Sequence, residues 1–195
     1  MSEKQSKDKE KWLNQRGCAF SIVLNDNELH LFKSANYVLN TLMCCGKDWI
    51  FVACVLHDKD FDVERKCYKT QHYHVVITFG GSYRVGTILN LICDEFHCNE
   101  NQVSIEKCNS VPMQVRYLVH LDDFDKHQYD FADIHSNRMD IVDKYLHQVK
   151  KIVDEQDLFS IMKEYPVLQD LIGIIGLDQY KKWRVVIQDL RRERY

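Results

Sequence analysis

Glycine and proline are scarce in this chain of 195 residues, which contains seven glycines and two prolines. Turn-dense folds need such residues at regular intervals, so their scarcity argues against a β-sandwich, a cupin-type barrel or a low-complexity spacer. An apolar fraction of 45% is high enough to form a hydrophobic core, which excludes a wholly disordered chain. The length suits one ordinary domain with at most a small appendage.

Long apolar runs are also missing. The longest covers residues 49–56, too short to cross a bilayer, and the first residues contain no apolar segment of the kind that secretory signals need. The eight cysteines include no Cys-x-x-Cys pair, so we expect free thiols rather than a structural zinc site. These absences predict a soluble, reduced, intracellular protein without a membrane partner.

The chain also lacks an excess of basic residues. It contains 26 Lys and Arg and 29 Asp and Glu, which gives a net charge of −3. This balance excludes a globally basic nucleic-acid clamp but allows a local basic patch. Residues 1–16 are charged and are predicted to be a solvated tail. Residues 181–195 carry six Lys and Arg against two Asp and Glu, which suits either contact with duplex DNA or an ordinary cationic helix face.

The apolar pattern between residues 18 and 118 predicts alternating strands and helices. Strands are expected at residues 18–24, 49–57, 71–79 and 102–106, and helices at 34–45, 85–96 and from 112 to about 118. Gly46 is expected to close the first helix, and Gly80 and Gly81 to end the third strand. The order is typical of an α+β fold with a ferredoxin-like antiparallel sheet, a split β-α-β arrangement and helices on one face.

A helical pattern follows this α+β region. Apolar residues at three- and four-residue spacing predict about three or four further helices. The first stripe consists of Met139, Val142, Tyr145, Leu146, Val149, Ile152 and Val153, and the pattern continues at residues 158–162, 167–175 and 183–190. We therefore expect a domain at residues 17–134 and a small all-helical domain at 135–195.

The string His72-Tyr73-His74 lies on the predicted strand 71–79. Side chains alternate along a strand, so His72 and His74 point to one face, which suits either a divalent metal or a solvated polar surface. His57 and Asp60 end the preceding strand and come close if the two strands pair antiparallel. Nitrogen ligands with one carboxylate oxygen favour Mn²⁺, and also fit Mg²⁺, Co²⁺ or Zn²⁺.

The ordered combination of these motifs resembles the HUH endonucleases, and most closely the rolling-circle replication initiators of small bacterial plasmids (the pMV158-like Rep type). The resemblance covers roughly residues 18–134. Arg116-Tyr-Leu-Val-His120 is similar to the family's Tyr-Leu-Thr-His segment, with Val119 in place of threonine. Residues 126–134 are similar to the stretch that holds the family's nucleophile.

The resemblance implies a chemistry and a set of residues. It implies a metal site of His57, Asp60, His72 and His74, with Tyr129 as the nucleophile. The family's tyrosine attacks a DNA phosphodiester, which leaves a 5′-phosphotyrosine and a 3′-hydroxyl that primes replication. The implied partners are single-stranded and duplex origin DNA and host replication proteins in a bacterial cytoplasm, and the helical domain is expected to form homo-oligomers.

Several alternatives stay open. Tyr117 is the rival nucleophile, although it is expected to be a packed helix residue, whereas Tyr129 lies among polar residues suited to reaching an open site. Lys126 is a further catalytic candidate, and His120 a weaker candidate near the metal. The candidate DNA contacts are Arg65, Lys66, Lys69 and Arg84. The alternative functions are a small-molecule metalloenzyme of cupin type and a catalytically silent origin-binding protein.

Overall fold

The computed structural model describes residues 3–26, 31–45, 48–123, 125–147, 155–164, 168–175 and 177–192. The chain forms two compact units, Met1–Leu146 and His147–Tyr195. No helix in these described ranges is both long enough and apolar enough to span a bilayer. All eight cysteines are free, and Cys54 is fully buried.

The first unit is built on an antiparallel sheet, as predicted. Its strands and helices follow in this order: α1 (Glu3–Leu13), β1 (Arg16–Asn25), α2 (Ala35–Cys45), β2 (Trp49–His57), β3 (Phe61–Asp62), β4 (Cys67–Tyr68), β5 (His72–Arg84), α3 (Val85–Phe96), β6 (Val103–Lys107), α4 (Val111–Tyr117), β7 (His135–Ser136) and α5 (Met139–Leu146). The five-stranded sheet has the order β6-β1-β5-β2-β7. The short strands β3 and β4 form a separate hairpin. This open sheet is not the closed barrel of a cupin, so the cupin-type alternative is wrong.

One face of the sheet is covered by α2 and α3. Alternating residues of the central strands, such as Ile22, Cys54 and Ile77, pack there against Leu42 and Leu89 of the two helices. All five side chains are fully buried. At roughly 1.5–3 kcal/mol for each large apolar side chain, this layer supplies the main stabilisation of the unit.

The other face is covered as well, which differs from the predicted arrangement of helices on one face. Phe51, Val55 and Val76 pack there against α4 and α5, which contribute Val115 and Val142 among others. The two sets alternate along each strand because successive side chains point to opposite faces. The sheet is therefore buried on both faces at its centre, and the second layer carries the candidate site described below.

Strand β5 continues through Gly80 and Gly81 to Arg84, so the prediction that the glycines end this strand is wrong. Its far end stays paired with β1, where Gly17 lies opposite Tyr83, and β1 has a register shift between Gly17 and Ala19. The Gly80 amide also donates to the Asp48 carbonyl oxygen at 3.1 Å. A glycine pair next to a bulge weakens a strand locally without ending it, because the ladder hydrogen bonds on both sides remain.

The segment expected to be a charged tail contains helix α1, and this helix is attached to the sheet. Trp12 packs against the core of the α2–α3 face. Its indole N–H donates to the Ile105 carbonyl oxygen at 2.9 Å, and Lys9 pairs with Glu100 at 2.7 Å. Most of α1 is solvated, as its charges require, and the apolar residues at its end, Trp12 and Leu13, dock it on the core.

The second unit contains three described helices: α6 (Glu155–Glu164), α7 (Leu168–Ile175) and α8 (Leu177–Arg192). Their apolar stripes form a small core that includes Leu158, Leu171 and Ile187. The predicted stripe residues Val149, Ile152, Val153 and Val167 lie outside the described residues, as does Gly46. The described helices agree with the predicted helical part of the chain.

The boundary between the compact units lies after Leu146 rather than near residue 134. Helix α5 belongs to the first unit because Val142 and Leu146 are buried in the core of the second sheet face. The Arg116 guanidinium also donates to the Leu146 carbonyl oxygen at 2.6 Å. A domain that ended at residue 134 would lack these contacts.

Replacing Trp12 with alanine should lower the free energy of unfolding of the first unit by roughly 1–3 kcal/mol, because the indole is partly buried and holds α1 on the sheet. The matched control is Lys9→Ala, which removes an exposed ion pair of the same helix and should change stability by less than about 0.5 kcal/mol. Urea unfolding followed by far-ultraviolet circular dichroism compares the two. Equal losses would contradict a docking role for Trp12.

A chain that ends after His147 should fold as cooperatively as the first unit does in the intact protein. A chain that ends after Ile134 should be less stable by several kcal/mol, because it loses the buried Val142 and Leu146 side chains. Thermal unfolding of both truncated chains tests this boundary. The same midpoint for both would mean that α5 contributes nothing to the first unit.

Candidate metal and nucleophile site

The pairing of β2 with β5 brings three histidines to one face of the sheet. His57 lies directly opposite His72, and Val55 lies opposite His74. The ring centroid of His57 is 4.3 Å from that of His74 and 5.5 Å from that of His72. Tyr73, between the two histidines of β5, points to the opposite face and is buried in the α2–α3 core.

Asp60 supplies a carboxylate to the same cluster. It follows the end of β2 and its side chain is 7% exposed. Its Oδ2 lies 3.4 Å from His57 Nδ1 and 3.6 Å from His72 Nε2. The four residues predicted as metal ligands, His57, Asp60, His72 and His74, therefore lie together at the end of β2 and the start of β5.

In His57 and His72, the ring nitrogen that points away from Asp60 is hydrogen-bonded to a backbone carbonyl group. His57 Nε2 lies 2.8 Å from the Leu118 carbonyl oxygen, and His72 Nδ1 lies 2.8 Å from the Thr70 carbonyl oxygen. A carbonyl oxygen only accepts, so each of these nitrogens carries the proton and donates. The other nitrogen of each neutral ring is then an unprotonated acceptor, and it is the one that faces Asp60.

His120 is a member of the cluster that the sequence-based ligand set lacks. It is fully buried, and its Nδ1 donates to the His127 carbonyl oxygen at 2.8 Å and lies 3.8 Å from Asp60 Oδ1. Its backbone φ of 54° is uncommon for a residue other than glycine. The sequence signal was the Tyr-x-x-His spacing in the segment that ends at His120, which gave only a weak indication.

The donor set fits a divalent metal ion. The ligand atoms of His57, His72 and His74 lie within 4.8 Å of one another, and so do those of His57, Asp60 and His120. His57 Nδ1 and His120 Nε2 are buried and lack a hydrogen-bond partner in the part of the chain that the structure describes. Buried ring nitrogens are normally hydrogen-bonded, and metal-bound histidines typically donate their other nitrogen to a carbonyl or carboxylate. Both observations suit a metal site.

The electrostatics of the cluster favour an ionised Asp60 carboxylate and a neutral His74 imidazole. Burial by itself raises the pKa of Asp60, but contact with His57 and the nearby His120 and His72 outweigh it and hold the pKa well below its usual range. Burial, together with repulsion from His57 and His72, lowers the pKa of His74. An anionic oxygen beside neutral ring nitrogens is the protonation state in which these groups bind a metal.

The environments of the two candidate tyrosines are the reverse of those expected. Tyr129 is only 6% exposed, and its ring stacks on His57 at 4.4 Å with an interplanar angle of 7°. Its hydroxyl accepts from the Lys59 amide at 2.9 Å and donates to Asp60 Oδ1 at 3.2 Å. Burial, followed by the nearby Asp60 carboxylate, raises the pKa of Tyr129. The expectation that polar neighbours leave Tyr129 open is wrong, because its ring fills the space beside His57.

Tyr117, the last residue of α4, is partly exposed and lies on the rim of the cluster. Its ring centroid is 5.5 Å from that of His74 and 5.1 Å from that of His120. Lys126 Nζ donates to the Tyr117 hydroxyl at 2.9 Å and pairs with Asp123 at 2.7 Å. Partial burial by itself lowers the pKa of Lys126, but these two partners outweigh it and raise the pKa, so the amine stays charged beside the phenol.

The predicted DNA contacts fall into two places. Arg65, Lys66 and Lys69 are exposed residues of the β3–β4 hairpin or its flank, next to the cluster. Arg84 ends β5 at the other extreme from His72, and at about 3.3 Å per residue their Cα atoms are roughly 40 Å apart. The structure therefore brings three of the four predicted cations near the site and leaves Arg84 remote from it.

Comparison with known proteins assigns most of the chain to one family. The family model that describes the origin-binding domain of plasmid replication proteins matches residues 14–142. A replication protein of Staphylococcus aureus is 30% identical over 130 residues, which is 67% of this chain and 61% of that protein. The replication protein RepB of Lactiplantibacillus plantarum is 35% identical over 79 residues, which is 40% of this chain and 34% of RepB.

The chain thus spans less than two thirds of the length of the curated relatives that it matches. The family match begins in the turn after α1 and ends within α5, so it covers the whole sheet and every residue of the cluster. The chain belongs to the family of plasmid replication proteins that carry this origin-binding domain.

Proposed function

We propose that the chain is a replication initiator that nicks one strand of plasmid origin DNA and rejoins it by transesterification, through a 5′-phosphotyrosine intermediate. The observation that carries this proposal is the position of Tyr117, whose hydroxyl is bound by Lys126 at the rim of a buried cluster with unpaired ring nitrogens. A protein that only binds DNA and catalyses no reaction has no need for buried ring nitrogens without hydrogen-bond partners. The family membership supports the part of this proposal that places the chain at an origin of plasmid replication.

The residues proposed to hold the metal are His57, Asp60, His72 and His74. Three ring nitrogens with one carboxylate oxygen suit Mn²⁺ and also accommodate Mg²⁺, Co²⁺ or Zn²⁺. A bound divalent ion would supply Lewis-acid polarisation of the scissile phosphate and stabilise its added charge. The Leu118 and Thr70 carbonyl groups fix the orientation of His57 and His72, so the ligands are arranged before any ion binds.

Tyr117 is proposed as the nucleophile, in preference to Tyr129. A nucleophile must reach the phosphate of a bulky polymer, and Tyr117 is partly exposed while Tyr129 is 6% exposed with both hydroxyl partners in place. A burial-raised pKa makes Tyr129 a poorer source of phenolate. The Tyr129 hydroxyl instead holds the Asp60 carboxylate in position.

Lys126 is proposed to stabilise the phenolate of Tyr117. A free phenol has a pKa of about 10, so only on the order of one molecule in a thousand is ionised at neutral pH. The charged amine lies 2.9 Å from the oxygen, where it would stabilise the negative charge that develops as the phenol proton passes to solvent. The Tyr117 oxygen then bonds to phosphorus while the bond to the 3′ oxygen breaks, and that oxygen takes a proton. In the reverse step Lys126 stabilises the departing phenolate.

The proposed partners follow from the same assignment. Single-stranded DNA binds beside the hairpin cations Arg65, Lys66 and Lys69, and host replication proteins use the new 3′-hydroxyl. The second unit is proposed to assemble copies of the chain or to contact flanking duplex DNA, supported by cations on α8 such as Lys181, Arg184 and Arg191. The place of action is proposed to be the cytoplasm of the bacterial host.

Replacing His72 or His74 with alanine should weaken Mn²⁺ binding by at least about tenfold and abolish cleavage of single-stranded DNA, because each change removes a proposed ligand. Isothermal titration calorimetry measures the affinity, and a denaturing gel measures cleavage. The matched control is His97→Asn, an exposed histidine whose left-handed backbone asparagine tolerates. Unchanged Mn²⁺ affinity in both β5 variants would remove the proposed site.

Replacing Tyr117 with phenylalanine should abolish the covalent DNA adduct and leave metal and DNA binding intact, because only the attacking oxygen is lost. Tyr129→Phe is the matched variant and should still form the adduct, about fivefold more slowly, since it loses one hydrogen bond to Asp60. Mass spectrometry of the DNA-linked peptide identifies the modified tyrosine. An adduct on Tyr129 would transfer the role to that residue, and no adduct in the unmodified protein would favour a catalytically silent origin-binding protein.

A further inference from the structure

The hairpin of β3 and β4 lies between two proposed metal ligands and stands away from the sheet. It begins directly after Asp60 and returns to His72, and residues 63–71 are all exposed. Its two short strands pair only with each other. Isolated two-stranded hairpins are marginally stable in water. The chain therefore keeps an ordered, projecting element beside its candidate site without packing it into a core.

Large apolar side chains are concentrated on this hairpin. Phe61 is 49% exposed and Tyr68 is 70% exposed, and they form a cross-strand pair whose ring centroids lie 5.5 Å apart at 80°. Val63, between them in sequence, is 77% exposed. An edge-to-face pair stabilises the hairpin, and about half or more of each residue still stays exposed. Exposed aromatic rings grouped in this way mark a binding surface.

The position of the hairpin limits what that surface can contact. The Lys69 amide donates to the Asp60 carbonyl oxygen at 2.8 Å, so the base of the hairpin is fixed to a residue of the candidate metal site. A phosphodiester at these residues would have its neighbouring nucleotides beside the base of the hairpin. The aromatic pair therefore belongs to an element that adjoins the proposed point of attack.

The charge of the hairpin suits a polyanion. It carries Arg65, Lys66 and Lys69, and the side chain of Arg65 is 82% exposed. One of its two carboxylates, Asp62, accepts hydrogen bonds from the Glu64 and Arg65 amides and is thereby occupied within the turn. The Arg65 guanidinium also lies 3.8 Å from Asp62 Oδ2, and Lys66 and Lys69 are exposed at the surface of a chain that is acidic overall.

We propose that Phe61 and Tyr68 stack on unpaired DNA bases next to the scissile phosphate, while Lys66 and Arg65 contact the backbone. Base–aromatic stacking requires an accessible base face, which duplex DNA does not offer. The hairpin therefore holds the strand in its unpaired form at the site of attack. This inference rests on the proposed nicking function, which supplies the phosphate at the metal ligands.

The test measures equilibrium binding of the full chain to a labelled single-stranded oligonucleotide of mixed sequence, and to the duplex made from it, in EDTA. No metal-dependent chemistry occurs under these conditions, so the result is independent of nicking. Phe61→Ala and Tyr68→Ala should each weaken single-strand binding by roughly 5- to 100-fold and leave duplex binding unchanged. Tyr68→Phe keeps the ring and should bind like the unmodified chain.

Two further variants separate stacking from charge and from general loss of surface. Lys66→Ala should reduce the slope of log affinity against log salt by about 0.7, whereas the aromatic variants should leave that slope unchanged. Phe159→Ala removes a phenylalanine of similar exposure, 47%, from the second unit and serves as the control. Circular dichroism checks that every variant keeps the fold.

Single-strand binding by Phe61→Ala and Tyr68→Ala at the affinity of the unmodified chain would overturn the inference. An equal loss of affinity for single-stranded and duplex DNA in these two variants would also overturn the inference. That result would indicate a hairpin that inserts into a groove of the duplex. Ring-dependent single-strand binding by a chain that never nicks DNA would support the hairpin surface and contradict the proposed nuclease chemistry.

Discussion

The register between β2 and β5 is the constraint on which the candidate site depends. It places His57 opposite His72 and leaves His74 one step along the same face. A slip of one residue would turn both β5 histidines into the α2–α3 core and send Tyr73 to the site face. The register is fixed by burial on both faces, since Val75 and Ile77 fill one layer and Val76 fills the other. The apolar packing of the sheet therefore specifies where the polar cluster can form.

The cluster also depends on segments that are remote in sequence. The carbonyl groups of Leu118 and His127 orient His57 and His120, and Tyr129 joins the same layer by stacking on His57. The end of α4 and the chain after it thus form one wall of the site. Because these partners are backbone atoms, their position depends on how that segment folds more than on its side chains. Arg116 supports it by pairing with Asp122 at 2.6 Å.

Much of the fold could be predicted from the sequence, because local patterns determine it. The bounds of β2 and α3 match the expected ones, since each has a continuous apolar signal with clear ends. Side-chain contacts between segments far apart in the sequence were not predictable, apart from those that follow from the pairing of neighbouring strands. The docking of α1 depends on Trp12 reaching Ile105, and the burial of Tyr129 depends on a ring stack with His57. Polar neighbours in the sequence made Tyr129 look exposed, although one of them, His127, packs edge-to-face against its ring at a centroid distance of 4.8 Å.

An acidic chain can approach DNA because charge acts locally at physiological salt. Beyond a Debye length of about 8 Å exposed charges are largely screened, so the net charge of −3 matters less than the groups within that distance of the bound strand. The Asp60 carboxylate is itself buried, and ring nitrogens of His57, His72 and His120 lie 3.4, 3.6 and 3.8 Å from its oxygens. The hairpin presents Arg65 and Lys66 in solvent beside this cluster. Three of the four proposed ligands are thus buried, whereas the hairpin cations remain in solvent, where they can meet a strand before it reaches the site.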